Sequence, residues 1–329
     1  MLYREFGDTG WKVSALMLGT MQFGGDWGAQ EDQGSVLTVQ TALDAGINFI
    51  DTADIYGNGR AETVVGQAVG SRRSQVFIAT KFGYRWQEGT GTRMPNDYSR
   101  EYARVAVENS LRRLNTDYID LYQAHNCPLE AAESDEFHAG MQELVASGKI
   151  RAYGISVGPL DSGAREALAA AKHPSMGSLM MSYNLLSMGP ARVIFPFCRD
   201  QGIGVIARAP LGNGVLSGAL DEDTVIASTD RRSEWDKADL VRRIRQGKQF
   251  DFVSKATGLS PAQVALRFVL DNRDVSTVLC GMQNPAQVLD NAAVVDLPPL
   301  GVDIHQRIVE LYDSWSEHEQ MIPDSTKRK

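Results

Sequence analysis

Along most of the chain, short apolar runs alternate with longer stretches in which apolar residues return every three or four positions. The first pattern suits strands buried on both faces and the second suits helices with one buried stripe. Their order predicts repeated β-α units around a parallel sheet. Strands are predicted over 15–18, 48–51, 76–81, 118–124, 152–156, 178–183, 204–209 and 276–280. Helices are predicted over 35–45, 60–69, 101–114, 136–147, 164–171, 191–201, 260–271 and 285–294. Local punctuation agrees: Gly46, Gly148 and Gly202 follow helices, and Ser260-Pro261 sets a cap before a helix-starting proline. Eight strands, with no Gly-x-Gly-x-x-Gly after the first, favour a closed (β/α)8 TIM barrel over an open doubly wound sheet.

Ahead of the first barrel strand, residues 2–6 and 12–16 flank Gly7-Asp8-Thr9-Gly10, a turn composition that predicts a small N-terminal β-hairpin. Two connections, 83–97 and 213–236, are longer than ordinary. Such loops in a compact domain carry function or stay unstructured, and both leave the strand ends where barrel active sites form. The polar tail after Met321 is expected to fray.

Composition narrows the function classes. A chain of 329 residues fits one large barrel domain, and 43% hydrophobic with 22% charged residues is ordinary for a globular protein. A net charge of -8, with Lys327-Arg328-Lys329 as its one dense basic block, argues against a nucleic-acid partner. Arg242, Arg243 and Arg245 alternate with apolar residues and read as a solvated helix face. Cys127, Cys198 and Cys280 are too few and too scattered for a disulfide framework, which suits a reducing cytosol. Neither a secretory signal nor a membrane span is expected, so the predicted location is cytoplasmic. The five histidines show no His-x-His or His-Glu-x-x-His spacing, so no metal site and no metallo-hydrolase is predicted.

Chemistry concentrates at the strand ends. Asp51 ends the second predicted strand and Lys81 the third, His125 follows the fourth, and Tyr56 lies on the loop leaving Asp51. In a barrel these positions converge on one pocket. Singly, each has a plain structural explanation as a cap, a packing ring or a solvated charge. Together they interlock: a tyrosine hydroxyl titrates near pH 10, and a neighbouring cation is expected to lower that value. Lys81 supplies the cation, Asp51 holds it, and His125 can hydrogen-bond a substrate oxygen. Such a quartet delivers a proton to an oxygen and offers no acyl nucleophile.

Asp51-Thr52-Ala53-Asp54-Ile55-Tyr56, with Leu18-Gly19-Thr20, Lys81 and His125, resembles the aldo-keto reductase superfamily. The resemblance extends through Arg112-Arg113-Leu114, Tyr118-Ile119-Asp120-Leu121, Gly148-Lys149-Ile150-Arg151, Gly154-Ile155-Ser156, Tyr183-Asn184 and Pro210-Leu211-Gly212, from the hairpin to about Val295. It implies reduction of an aldehyde or ketone, a keto-sugar or another small carbonyl compound among the candidates, by NADPH, with NADH left open. A cofactor-binding regulatory subunit with little turnover is the alternative.

On the same resemblance, Tyr56 is the acid, tuned by Lys81 and Asp51, and His125 orients the carbonyl. Ser156 and Tyr183 line the nicotinamide pocket, Leu211 and Gly212 meet the pyrophosphate, and Gly281, Gln283, Gln287 and Asn291 the adenosine end. Gly19, Thr20, Asp51, Arg208, Pro210 and Gly214 are further expected cofactor contacts. Val157, Met180, Arg208 and Gln283 depart from common patterns. Arg208 stands where many relatives place a stacking aromatic, a role a planar guanidinium can fill. Arg231 or Arg232 is expected to fold over the cofactor's phosphates. Phe23, Trp27, Trp86 and Asn126 are the expected substrate walls.

Overall fold

A computed structural model describes residues 1–25, 31–87, 89–158, 163–228 and 230–316. Eight strands close into a barrel: β1 (Leu16–Gly19), β2 (Phe49–Asp51), β3 (Phe77–Phe82), β4 (Ile119–Ala124), β5 (Ile150–Ser156), β6 (Ser178–Ser182), β7 (Gly204–Arg208) and β8 (Thr277–Gly281). Each pairs in parallel with the next, and β8 returns to β1 through Leu279↔Met17 and Gly281↔Gly19. Helices cover the outside, so each strand is buried on both faces, as its continuous apolar run requires.

Alternation along the strands sorts side chains between two cores. Phe49, Ala79, Leu121, Met180 and Ile206 face the barrel axis, whereas Ile50, Ile78, Tyr122 and Leu179 pack beneath the helices. With a period of two, Asp51, Lys81, Gln123 and Arg208 also face the axis, each one step nearer the C-terminal mouth than its apolar predecessor. The register pairs Asp51 with Ala79 and Lys81 with Gln123, so these polar residues form the upper layer of the interior.

The N-terminal hairpin pairs Tyr3–Glu5 with Lys12–Ser14 and closes the opposite end. Phe6 and Trp11 stack with centroids 5.9 Å apart, and Phe6 meets Phe49 edge-on at 5.4 Å. Gly204 is required at the foot of β7, because a Cβ there would lie 2.8 Å from the Phe6 ring. The expected cap of the helix Pro261–Asp271 is present: Ser260 accepts from the Gln263 amide, and the Gln263 side chain accepts in return.

Three features differ from the expectation. The 83–97 connection contains a two-stranded hairpin, Arg85–Trp86 with Arg93–Met94, which we call the rim hairpin. Helices Leu129–Ala132, Lys237–Lys248, Asp251–Thr257 and Val302–Asp313 add to the predicted eight. The arginine cluster is not a uniformly solvated face: Arg245 is exposed beside Glu222 at 2.7 Å, but Arg243 is buried, and burial pushes its guanidinium down to about 10. Among the described residues, no helix is long and apolar enough to cross a membrane.

Candidate active site

Asp51 and Lys81 meet at the ends of β2 and β3, each about 1% exposed. The Lys81 ammonium donates to both Asp51 carboxylate oxygens, at 2.6 and 2.7 Å, and to the Thr52 carbonyl at 2.8 Å. Two of those contacts share the Asp51 carboxylate, and the ammonium also donates, at 3.4 Å, to the Tyr56 hydroxyl. The β2 end is itself tied down, because Thr20 donates its amide and its hydroxyl to the Asp51 carbonyl, at 3.0 and 2.9 Å. Burial alone would depress the Lys81 ammonium, but Asp51 and Tyr56 outweigh it and hold its pKa above the ordinary lysine value. Burial raises the Asp51 carboxyl, with Lys81 opposing.

Tyr56 corrects one expectation. Its hydroxyl pKa lies above 10, not below, because desolvation of the nearly buried phenol exceeds the pull of Lys81. Lys81 remains the largest influence favouring the phenolate. The tyrosine is therefore fully protonated at neutral pH, beside a cation that can compensate charge when the proton leaves.

His125 faces Tyr56 with ring centroids 5.9 Å apart at 88°. A second ring against it is that of Tyr84, at 4.7 Å and 66°, a residue absent from the expected site. Asn126, held at φ 49°, donates from its side chain to the Tyr84 hydroxyl at 2.6 Å. Tyr98 donates its hydroxyl to the His125 carbonyl at 2.7 Å. The imidazole thus contacts two tyrosine rings while a third tyrosine pins its backbone. A signal for Tyr84 existed in its place three residues after Lys81.

The remaining expected residues divide. Thr20 and Ser156 are buried at the ends of β1 and β5, and a Cβ at Gly19 would meet Leu279 at 3.1 Å, so the two strands approach closely there. Arg208 lies at the mouth, donating to the Val157 carbonyl at 3.0 Å and acting electrostatically on both Asp51 and Tyr56. Pro210, Leu211, Gly212 and Gly214 form the turn after β7, with Gly212 at φ 56° and Gly214 at φ 93°. Arg232 reaches that turn: its Nη1 lies 2.7 Å from where a Cβ on Gly214 would be, and its guanidinium is paired with Asp230 at 2.6 Å. The Arg231 side chain lies outside the described residues. Beyond β8, Gly281 is exposed under the Gln22 amide, the Gln283 amide donates to Gln287, and Asn291 donates to the Cys280 sulfur at 3.4 Å.

Two of the expected residues lie in the layer between barrel and helices. Tyr183 packs on Phe195 and Phe268 of the outer helices, at 5.2 and 5.3 Å. Phe23 is fully buried in the same layer and lines no accessible wall. Trp86 is half-buried on the rim hairpin near Arg113, and Trp27 lies outside the described residues. Among the described residues, no group of three or more His, Cys, Asp or Glu side chains could hold a metal ion.

Comparison with known proteins agrees with this geometry. A family model described as the Aldo/keto reductase family matches residues 15–313. The Bacillus subtilis (strain 168) protein named aldo-keto reductase YhdN is 33% identical over 297 residues, covering 88% of this chain and 87% of that one. The Escherichia coli (strain K12) protein named NADH-specific methylglyoxal reductase is 31% identical, covering 88% of this chain and 92% of its own. Among solved structures, an aldo-keto reductase, AKR11C1 from Bacillus halodurans (holo form), superposes with a TM-score of 0.79 at 30% identity, covering 97% of this chain and 99% of that one. A closed parallel barrel with lysine, aspartate and tyrosine joined at its mouth, matched by this family over nearly the whole chain, makes the protein a member of the aldo/keto reductase family, oxidoreductases that use nicotinamide cofactors.

Proposed function

We propose that the chain reduces the carbonyl group of a small aldehyde or ketone, a keto-sugar among the candidates, to the alcohol with NADPH, and that Tyr56 is the proton donor. The observation that supports this most is the Lys81 ammonium held between the Asp51 carboxylate and the Tyr56 hydroxyl. The Tyr56 oxygen accepts from Lys81, which leaves the phenol's own proton to point toward a reacting oxygen. As negative charge grows on that oxygen, Tyr56 passes its proton across and Lys81 stabilises the phenolate left behind. Asp51 keeps Lys81 charged and fixed. His125, opposite Tyr56, orients the carbonyl oxygen by hydrogen bonding.

The residues present fit a nicotinamide cofactor. Gly212 and Gly214 adopt backbone that leaves the turn after β7 bare, and the Arg232 guanidinium stands against it, a combination suited to a pyrophosphate or a 2'-phosphate. Gly19, Thr20, Ser156 and Arg208 would border the nicotinamide, Pro210 and Leu211 the pyrophosphate, and Gly281, Gln283, Gln287 and Asn291 the adenosine. When bound, the cofactor supplies the hydride that adds to the carbonyl carbon.

The test follows loss of reduced-nicotinamide absorbance with NADPH and with NADH across a panel of aldehydes, ketones and keto-sugars. Tyr56→Phe should lose about 100-fold or more of the turnover, the usual contribution of a positioned acid, while NADPH affinity measured by fluorescence is retained. Undiminished turnover in that variant would remove Tyr56 from the chemistry. Tight NADPH binding with no turnover by the unmodified protein would favour a regulatory subunit.

A further inference from the structure

We propose that Arg93, seated on the Tyr84 ring at the rim of the well, forms an outer anion subsite, and that the preferred substrate is a short carbonyl compound bearing a carboxylate. The inference rests on the carbonyl-reductase reading of the same site. Three contacts build the subsite from the catalytic residue outward. The Tyr84 ring lies 4.7 Å from the His125 ring, and the Arg93 guanidinium carbon lies 4.2 Å above the Tyr84 centroid. Asn126 fixes the platform through its bond to the Tyr84 hydroxyl, and the rim hairpin fixes the arginine through the register Trp86↔Arg93. The hairpin's tip reaches the catalytic loop, since a Cβ on Gly91 would lie 2.6 Å from the Asn58 side-chain nitrogen.

Charge matching singles out this arginine. Around the mouth, Arg60 is paired with Asp32, Arg85 with Asp97 and Arg113 with Glu62. Arg93 is exposed, has no carboxylate partner among the described residues, and makes one long hydrogen bond, to the Asn96 carbonyl oxygen of the side chain at 3.4 Å. Stacking on Tyr84 engages the face of the guanidinium and leaves its N–H edge, the part that matches a carboxylate in a two-pronged contact.

Distance sets the substrate's length. The two ring contacts place the guanidinium carbon no more than about 9 Å from the imidazole centroid. A substrate oxygen hydrogen-bonded at the imidazole and an anionic group paired with the arginine are therefore close enough to belong to one small molecule, which is the build of a short oxo acid.

Matched pairs test the proposal. With the full-length protein and NADPH, 4-oxobutanoate is compared with butanal, which lacks the carboxylate, and glyceraldehyde 3-phosphate with glyceraldehyde. The expected result is a several-fold preference in kcat/KM for 4-oxobutanoate, carried in KM, shrinking with added salt and reduced by about fivefold in Arg93→Gln, the scale of an exposed ion pair. Arg93→Lys, which keeps the charge without the planar edge, should fall between. Reduction of butanal without preference for 4-oxobutanoate, or a preference unchanged in Arg93→Gln, overturns the subsite while leaving the reductase reading intact. A preference confined to the phosphate pair overturns the carboxylate assignment. Should neither member of a pair turn over, calorimetric titration with succinate still decides, because equal binding to the unmodified protein and to Arg93→Gln refutes the subsite on its own.

Discussion

Replacing Lys81 with methionine tests the buried pair at the centre of the site. Methionine keeps the stem's bulk but removes the ammonium, leaving the Asp51 carboxylate about 1% exposed and without its two short bonds from the Lys81 ammonium. Breaking a buried pair from one side costs about 3–5 kcal/mol, which for a chain of this size lowers Tm by about 4–7 °C. The cost depends on pH in a determined direction. Burial already raises the Asp51 pKa in the folded state, and losing Lys81, its largest lowering influence, raises it further above the unfolded value. A group raised on folding contributes stability at pH below its unfolded pKa and loses it as pH climbs through the folded pKa, so Lys81→Met should be more stable at pH 5 than at pH 8. Thermal melts followed by circular dichroism at both pH values measure this, alongside the double variant Lys81→Met/Asp51→Leu, which removes both charges and should recover most of the loss. A single variant as stable as the unmodified protein at pH 8, or a double variant no better than the single, would refute the account of the pair.

Two further outcomes follow from the same geometry. Because burial lifts the Tyr56 hydroxyl above 10, the acid stays loaded, and kcat/KM for carbonyl reduction should hold level from neutral pH to about pH 9 before declining, as a pH-rate profile would show; a decline centred near pH 7 would contradict it. Gln123 is fully buried beside Lys81 with neither its amide nitrogen nor its amide oxygen hydrogen-bonded, so Gln123→Leu should be neutral or stabilising by about 1–2 kcal/mol in a urea titration, and a clear loss of stability would show that the amide has a partner in solution.

The barrel was legible because buried parallel strands and one-sided helices write different periods, and because glycines and Ser260-Pro261 mark the helix ends. The tetrad was legible because a strand end fixes where a side chain must go, whatever its distance along the chain. Side-chain direction just past a strand end was not. Nothing in the order Ser182-Tyr183-Asn184 tells that the Tyr183 ring turns outward onto Phe195 and Phe268, and the same holds for Phe23. The rim hairpin has strands of two residues each, too short for alternation to register, so Tyr84 and Arg93 had no periodic signal. The direction of the Tyr56 shift depends on how completely the fold excludes water, which residue identity alone does not state.

The aromatic plug of Phe6 and Trp11 makes the well a cul-de-sac. With the foot of the barrel sealed, anything that reaches Lys81 arrives through the mouth and departs by it. The small hairpin and the apolar layer packed on it thereby set the direction from which the site is reached, at the opposite pole from the chemistry.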